Sequence, residues 1–267
     1  MSGDSSGNAA TDEDRSPVVV KLGGTTLAEE QDVFREIVAL RQRRPVVVVH
    51  GGGKRLTEWL ERLGVESRFE AGRRVTDEAA LEVFLAVIGG VINAELTVAF
   101  RDLGADAVGV RGIDGGLIGG ERGHGLGLVI TEPVAQPALI ETLLADGRLP
   151  VVAPMGLDRA GRICNVNADD VSAALAAAVG GQLLLLTDTD GVRDGSGARI
   201  PELTPSEAER LIEDGVIRGG MVPKVRSALR ALAPGSRAER AVIADGRAIG
   251  AIKGALHEGA GTGFRVR

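Results

Sequence analysis

The sequence predicts an α/β fold: a three-layer αβα sandwich with a mostly parallel central sheet. Three observations carry that expectation. The apolar runs Val18–Val20, Val46–Val49 and Leu183–Leu186 do not alternate with polar residues, which is the pattern of strands buried on both faces. Segments with helical spacing lie between such runs. The connections are short, so consecutive strands must return to one parallel sheet.

The elements follow in order. Val18–Lys21 is the first strand, and Ala28–Arg44 is a helix with Val33, Phe34, Ile37, Val38 and Leu40 on one face. Pro45 opens the strand Val46–His50, and a helix runs from Lys54 to Leu63. A long helical pattern extends from Glu78 to about Arg101 with Gly89-Gly90 in its middle. Each glycine there costs roughly 1 kcal/mol of helix stability, so the pair needs a reason such as a kink or close packing. Ala107–Val110 is a short strand, and the glycine-dense segment 112–128 suits hairpins. Helices at Gln136–Ala145, Ala168–Val179, Pro205–Asp214 and Val222–Ala233 alternate with strands at Leu149–Ala153, Leu183–Thr187 and Arg240–Ala244. Near Gly180-Gly181 the character changes, which places a lobe boundary inside one sheet, with lobes at 18–180 and 181–267. Residues 1–17, rich in Ser, Gly and Asp, read as a disordered tail and not as a signal peptide.

Composition narrows the function. A chain of 267 residues with 44% hydrophobic content can bury a large core, but aromatics are only 2%, so Val, Leu, Ile and Ala must fill it. A net charge of −6 argues against nucleic acid or an anionic membrane as partner. The apolar stretch 171–186 is too short and too interrupted to span a bilayer. One cysteine, Cys164, excludes an internal disulfide and reads as a small packed hydrophobe. Three dispersed histidines make no zinc pattern, and no protein-bound metal is expected. The expected location is the cytoplasm.

Lysine usage is the sharpest chemical signal. There are four lysines against 27 arginines, and Lys21, Lys54 and Lys224 each stand near glycines. Lys21 opens Lys-Leu-Gly-Gly (21–24) at a strand end, and Lys54 follows His-Gly-Gly-Gly (50–53). Lys224 closes Gly-Gly-Met-Val-Pro-Lys (219–224). Glycines between a strand and a helix let backbone N–H groups approach an anion, and the helix N-terminus adds partial positive charge. A tight turn needing positive φ would use the same residues. The Walker A and G-x-G-x-x-G spacings are absent. Two strand–glycine–helix turns with lysines point to a nucleotide-dependent phosphotransferase. Asn165 and Asn167 would face one way on an extended segment ahead of Asp169, though Asn and Asp also suit a helix cap. Thr187, Asp188 and Asp190 follow a buried strand at its carboxyl end, where ligands collect, and an Asp-Gly turn is the alternative. Arg74 could grip a carboxylate with a bidentate fork or lie solvated at the surface.

Taken in register, these pieces resemble the amino acid kinase family, and within it the branch that acts on N-acetyl-L-glutamate. The resemblance runs from about Val18 to Val266. It rests on Lys21-Leu-Gly-Gly, His50-Gly-Gly-Gly, Arg74-Val-Thr-Asp, Asp114-Gly-Gly-Leu, Asn165-Val-Asn-Ala-Asp, Leu186-Thr-Asp-Thr-Asp-Gly-Val and Gly219-Gly-Met-Val-Pro-Lys. It implies ATP-dependent phosphorylation of the side-chain carboxylate of N-acetyl-L-glutamate in arginine biosynthesis, with Mg²⁺ accompanying the ATP. Lys21 and Lys224 then neutralise the transferring phosphoryl group, and Asp169 holds both. Gly52, Gly53, Arg74, Asn165 and Asn167 bind the acyl substrate in the N-terminal lobe. Lys21, Gly23, Gly24, Thr187, Asp188, Asp190, Gly220, Met221 and Lys224 serve ATP, which the C-terminal lobe binds. The chemistry agrees: a side-chain carboxylate with a pKa near ~4.3 is already ionised and needs no general base, so alignment and fixed positive charge supply most of the catalysis.

Departures mark the acyl end. Arg73 replaces the usual apolar neighbour of the substrate arginine, and Arg111 and Ile113 are atypical for the covering hairpin. A kinase for aminoadipate or glutamate on an acidic carrier protein is therefore the rival enzyme, with basic residues at 68, 73 and 74 facing the carrier. A non-catalytic amino-acid-sensing module of the same fold is the rival outside enzymes, disfavoured because both lysines and Asp169 occur together. Residues 1–17 lack the apolar period of a packing helix, so the expectation is a homodimer with weak or no arginine feedback. The Gly89-Gly90 helix is the candidate contact.

Overall fold

The computed structural model describes residues 16–23, 31–70 and 72–265. Across its main sheet the eight strands run Glu202–Leu203, Thr262–Phe264, Ala238–Asp245, Gly181–Thr187, Val18–Leu22, Val46–His50, Leu149–Ala153 and Ala107–Arg111. The last six are mutually parallel, and Thr262–Phe264 turns antiparallel against Ala238–Asp245. This is the mostly parallel αβα arrangement that the apolar runs predicted. The sheet is continuous through Gly181, whose strand pairs directly with Val18–Leu22.

The unbroken valine runs have a simple cause. Val18, Val20, Leu22, Val46 and Val48 pack on one face with Phe34, Leu60 and Phe100. Val19, Val47 and Val49 pack on the other with Leu175, Ala176 and Val225. Both faces are dry, so every position must be apolar, each buried valine contributing about 1.5–3 kcal/mol. Lys21 shares the parity of Val19, so its side chain leaves the sheet on the face covered by the helix Ala168–Val179.

The helix over residues 78–102 is continuous but not uniform. Glu78–Phe84 and Asn93–Asp102 are α-helical, and Leu85–Ile92 between them is a π-helix. The glycine pair sits in that wider stretch. A Cβ on Gly89 would stand 2.7 Å from Met155 Cε, so Gly89 provides close packing, while Gly90 is exposed. By length and composition Glu78–Asp102, with a mean hydropathy of 2.0 over its most apolar 18 residues, is long and apolar enough to cross a membrane. Here Val83, Phe84, Val87, Ile88, Leu96 and Phe100 face the core. Among the described residues this helix, and not the stretch 171–186, is the one long and apolar enough to span a bilayer.

Beside the main sheet stands a small closed sheet of Ile118–Arg122, Val129–Ala135, Met155–Leu157 and Ile163–Val166. A two-residue hairpin pairs Phe69–Glu70 with Arg73–Arg74. The glycine-rich region does make a hairpin, Ile118–Arg122 against Val129–Ala135. Sequence reading omitted the short strands of the small sheet and the helix Ala251–His257. The expected tail needs a correction at its end. Ser16 accepts hydrogen bonds from Arg44 at 2.8 and 2.7 Å, and Pro17 O accepts from Gln182 N at 3.0 Å, so these two residues belong to the fold. Residues 1–15 lie outside the described residues.

Candidate active site

The sheet and one helix bring three distant residues together. Lys21 Nζ lies 2.9 Å from Asp169 Oδ1, and Lys224 Nζ lies 3.3 Å from Asp169 Oδ2. Lys21 comes from the central strand, Asp169 from the first turn of Ala168–Val179, and Lys224 from the first turns of Met221–Ala231. Asn167 caps the middle helix by accepting from Asp169 N at 2.8 Å. Burial alone would raise the Asp169 carboxyl, but the two ammonium groups outweigh it and hold the carboxyl below its ordinary range. Burial, and then the charge of Lys21, lowers the Lys224 amine, against the pull of Asp169. Two cations on one carboxylate leave one positive charge over at this point.

That charge stands between two cavities. The first, about 230 Å³, is lined by Gly23, Leu186, Thr187, Asp188, Gly246 and Arg247 together with Lys21 and Lys224. The second, about 470 Å³, contains Gly52, Gly53, Arg74, Asn165 and Asn167, and Lys21 and Asp169 close its inner end. Lys21 is common to both. All five residues expected to bind the acyl substrate therefore line one cavity.

Local chemistry explains the second cavity. Gly52 takes φ +139° ahead of the helix Gly53–Arg62, and a Cβ there would meet Ile92 Cδ1 at 2.5 Å. The turn is thus forced flat against the π-helical stretch, and it presents the first turn of the following helix to the cavity. Arg74 is only 8% exposed. It donates to Thr57 Oγ1 at 2.7 Å, to Gly53 O at 3.3 Å and to Ser67 Oγ, and it stacks over Phe69 at 4.6 Å. Burial lowers its guanidinium from the ordinary arginine value. Its partners among the described residues are hydroxyls, a carbonyl and a ring and no carboxylate, so a buried cation lines the cavity with its charge uncompensated. Asn165 Nδ2 donates to Thr76 Oγ1 at 3.0 Å, which turns the amide oxygen free.

Other expected residues sit differently. Asp190 pairs with Arg193 at 3.0 Å and lines neither cavity. Met221 lines a separate cavity of about 160 Å³ with Thr189 and Gly191. Gly220 caps the helix carrying Lys224, and Gly24 lies outside the described residues. Lys54 is exposed at the edge of the larger cavity. Arg73, grouped with Arg68 and Arg74 as a carrier contact, lines the larger cavity beside Arg74, but its guanidinium pairs with Asp170 at 2.6 Å. Cys164 is fully buried, and burial raises its thiol. Sequence reading missed Gly246 and Arg247. They follow the strand Ala238–Asp245 at its carboxyl end, the same signal that marked Thr187 and Asp188.

His50 anchors the second glycine turn. Its Nδ1 donates to Gly51 O at 2.8 Å, while Nε2 accepts from Asn93 Nδ2 at 3.1 Å, and Asn93 also donates to Val151 O at 2.8 Å. Burial lowers its pKa from 6.5 to about 4, partly opposed by the Gly51 hydrogen bond. The folded imidazole is therefore neutral at neutral pH. Between these two values the unfolded chain binds the extra proton, so stability must fall as pH drops from 6.5 toward 4, by roughly 3 kcal/mol in total. Urea midpoints at pH 7 and pH 5 check this: His50→Gln should remove that slope whatever it costs at neutral pH.

A parallel sheet with two cavities at its strand ends, joined by a positively charged bridge, defines an αβα-sandwich kinase. The amino acid kinase family model matches residues 16–245. Acetylglutamate kinase from Rubrobacter xylanophilus is 46% identical over 245 residues, covering 91% of this chain and 94% of that protein. Acetylglutamate kinase from Gluconacetobacter diazotrophicus is 41% identical over 268 residues, covering 94% and 85%. The structure of N-acetylglutamate synthase from Neisseria gonorrhoeae with coenzyme A and N-acetyl-glutamate superposes with a TM-score of 0.77 at 21% identity, over 96% of this chain and 61% of that one, a likeness of fold alone. The chain belongs to the amino acid kinase family.

Proposed function

We propose that this chain transfers the γ-phosphoryl group of ATP to the side-chain carboxylate of N-acetyl-L-glutamate, forming N-acetyl-L-glutamyl 5-phosphate in arginine biosynthesis. The observation that carries this reading is the Lys21–Asp169–Lys224 bridge between two cavities. ATP occupies the smaller cavity, so the nucleotide side falls largely in residues 181–267 and the acyl side in residues 18–180. The acyl group occupies the larger cavity, with its α-carboxylate on Arg74 and its side-chain carboxylate toward Lys21. A carboxylate oxygen attacks the γ-phosphorus in line, the bond to the β,γ-bridging oxygen breaks, and ADP leaves. Lys21 and Lys224 offset the repulsion between the anions, and Asp169 keeps both ammonium groups aimed at that point.

Mg²⁺ enters as the ATP complex. Among the described residues no group of three or more His, Cys, Asp or Glu side chains forms a metal cage, and Asp188 is the carboxylate lining the nucleotide cavity. In that complex the ion is carried mainly by phosphate oxygens, which it neutralises. A coupled ADP-release assay tests the reading. N-acetyl-L-glutamate should be turned over far faster than glutamate, aspartate or a carrier-linked glutamate, and equal or better turnover of the carrier-linked form would replace this reading.

A second copy docks on the helix Glu78–Asp102, where Ala86, Gly90, Ala94 and Val98 are exposed at spacings of four. Small side chains there let two helices approach closely. Wild type should sediment at twice the 27.6 kDa chain mass and Ala94→Arg at the single mass; a wild-type monomer would end this assignment.

A further inference from the structure

The residue after Asp169 is a second buried carboxylate with no part in the chemistry above. Asp170 is only 2% exposed and accepts three charged or hydroxyl donors. Arg73 Nη1 reaches Oδ2 at 2.6 Å, while Ser227 Oγ and Arg230 Nη2 reach Oδ1 at 2.7 Å each. Arg230 continues to Thr131 O at 2.9 Å, in the strand Val129–Ala135 of the small sheet. Two consecutive carboxylates on one helix thus share the helix Met221–Ala231 and each reach a second element beyond it. Asp169 holds Lys21 and Lys224. Asp170 holds Arg73, neighbour of the acyl-site Arg74, and two residues of the helix that carries Lys224.

The spacing makes this more than a local ion pair. Lys224, Ser227 and Arg230 are three apart, so one face of Met221–Ala231 meets both carboxylates. On the other side, Arg73 and Arg74 are consecutive in a strand of only two residues, so fixing one fixes the other. The hairpin also runs close to the nucleotide helix: a Cβ on Gly72 would stand 3.7 Å from Pro223 Cγ, next to Lys224.

We propose that Arg73 and Asp170 are positioning residues, a buried strut that sets the acyl-substrate arginine at a fixed distance from the lysine of the nucleotide helix. The strut rests on the proposed reading of the two cavities. It makes catalysis sensitive to Asp170, which lines neither cavity, and to Arg73, which borders the larger cavity but turns its guanidinium to Asp170. Phosphoryl transfer depends on in-line alignment, and small displacements of the reacting groups are costly. Arg73 is the member to change, because Asp170 keeps Ser227 and Arg230 when Arg73 is lost, and no buried charge is stranded.

Arg73→Leu should lower kcat for N-acetyl-L-glutamate about tenfold, leave KM for ATP within about twofold of wild type, and leave the thermal midpoint nearly unchanged. Arg73→Lys, which restores a cation to Asp170, should recover most of the rate. Wild-type kcat in Arg73→Leu, a loss that tracks a fallen midpoint, or no recovery in Arg73→Lys would overturn the strut. Amide hydrogen exchange on the unliganded protein keeps this separate from the substrate assignment. Arg73→Leu should speed exchange in the hairpin and also in residues 224–231, and an unchanged helix would overturn the proposal even if wild type phosphorylates some other acid.

Discussion

Lys224→Ala is expected to lower turnover by about 10²–10³ while the protein stays folded. The ammonium group lines the smaller cavity 3.3 Å from Asp169, which lines the larger one, and its amine is already lowered by burial and by Lys21. Removing it leaves Lys21 paired with Asp169 and no positive charge over, so the meeting point of two anions becomes neutral. The loss should appear in kcat more than in KM, because charge develops there during transfer. Stability should change little, since Lys21 still compensates Asp169 and no charge is stranded. Steady-state kinetics with a thermal melt decide it. A variant that keeps wild-type kcat would remove Lys224 from the chemistry.

Arg74→Ala should raise KM for N-acetyl-L-glutamate by about 10–100-fold, since a hydrogen bond to a charged group is worth about 1.5–3 kcal/mol. KM for ATP should stay within about twofold, because Arg74 lines only the larger cavity. The guanidinium is held by Thr57, Ser67, Gly53 and the Phe69 ring, so it is preorganised before any carboxylate arrives. Its loss also opens space beside Gly53, and a modest fall in the thermal midpoint is expected. A rise in KM for ATP with that for the acyl substrate unchanged would mean that the two cavities are assigned in reverse.

The fold was legible because burial on both faces writes itself into consecutive apolar residues. Val46–Val49 and Leu183–Leu186 could be placed in a parallel sheet from that alone. The short strands Met155–Leu157 and Ile163–Val166 were not, since three or four residues carry no period to detect. Gly52 and Gly53 were legible through their position between strand and helix. Arg247 was not, because one arginine after a strand looks like any other in a chain with 27 of them.

Local sequence was enough for the strand ends, the glycine turns and the scarcity of lysine at ordinary surface positions, because each is a property of a few adjacent residues. It could not say which of two arginines beside one cavity is neutralised by an acid and which keeps its charge uncompensated. Arg73 and Arg74 are identical neighbours, yet one is neutralised by Asp170, 97 positions along the chain, and the other has no acid within reach among the described residues. Their different fates follow from a charge balance set by packing. Coulomb and desolvation energies depend on distances through space, which only the folded chain fixes.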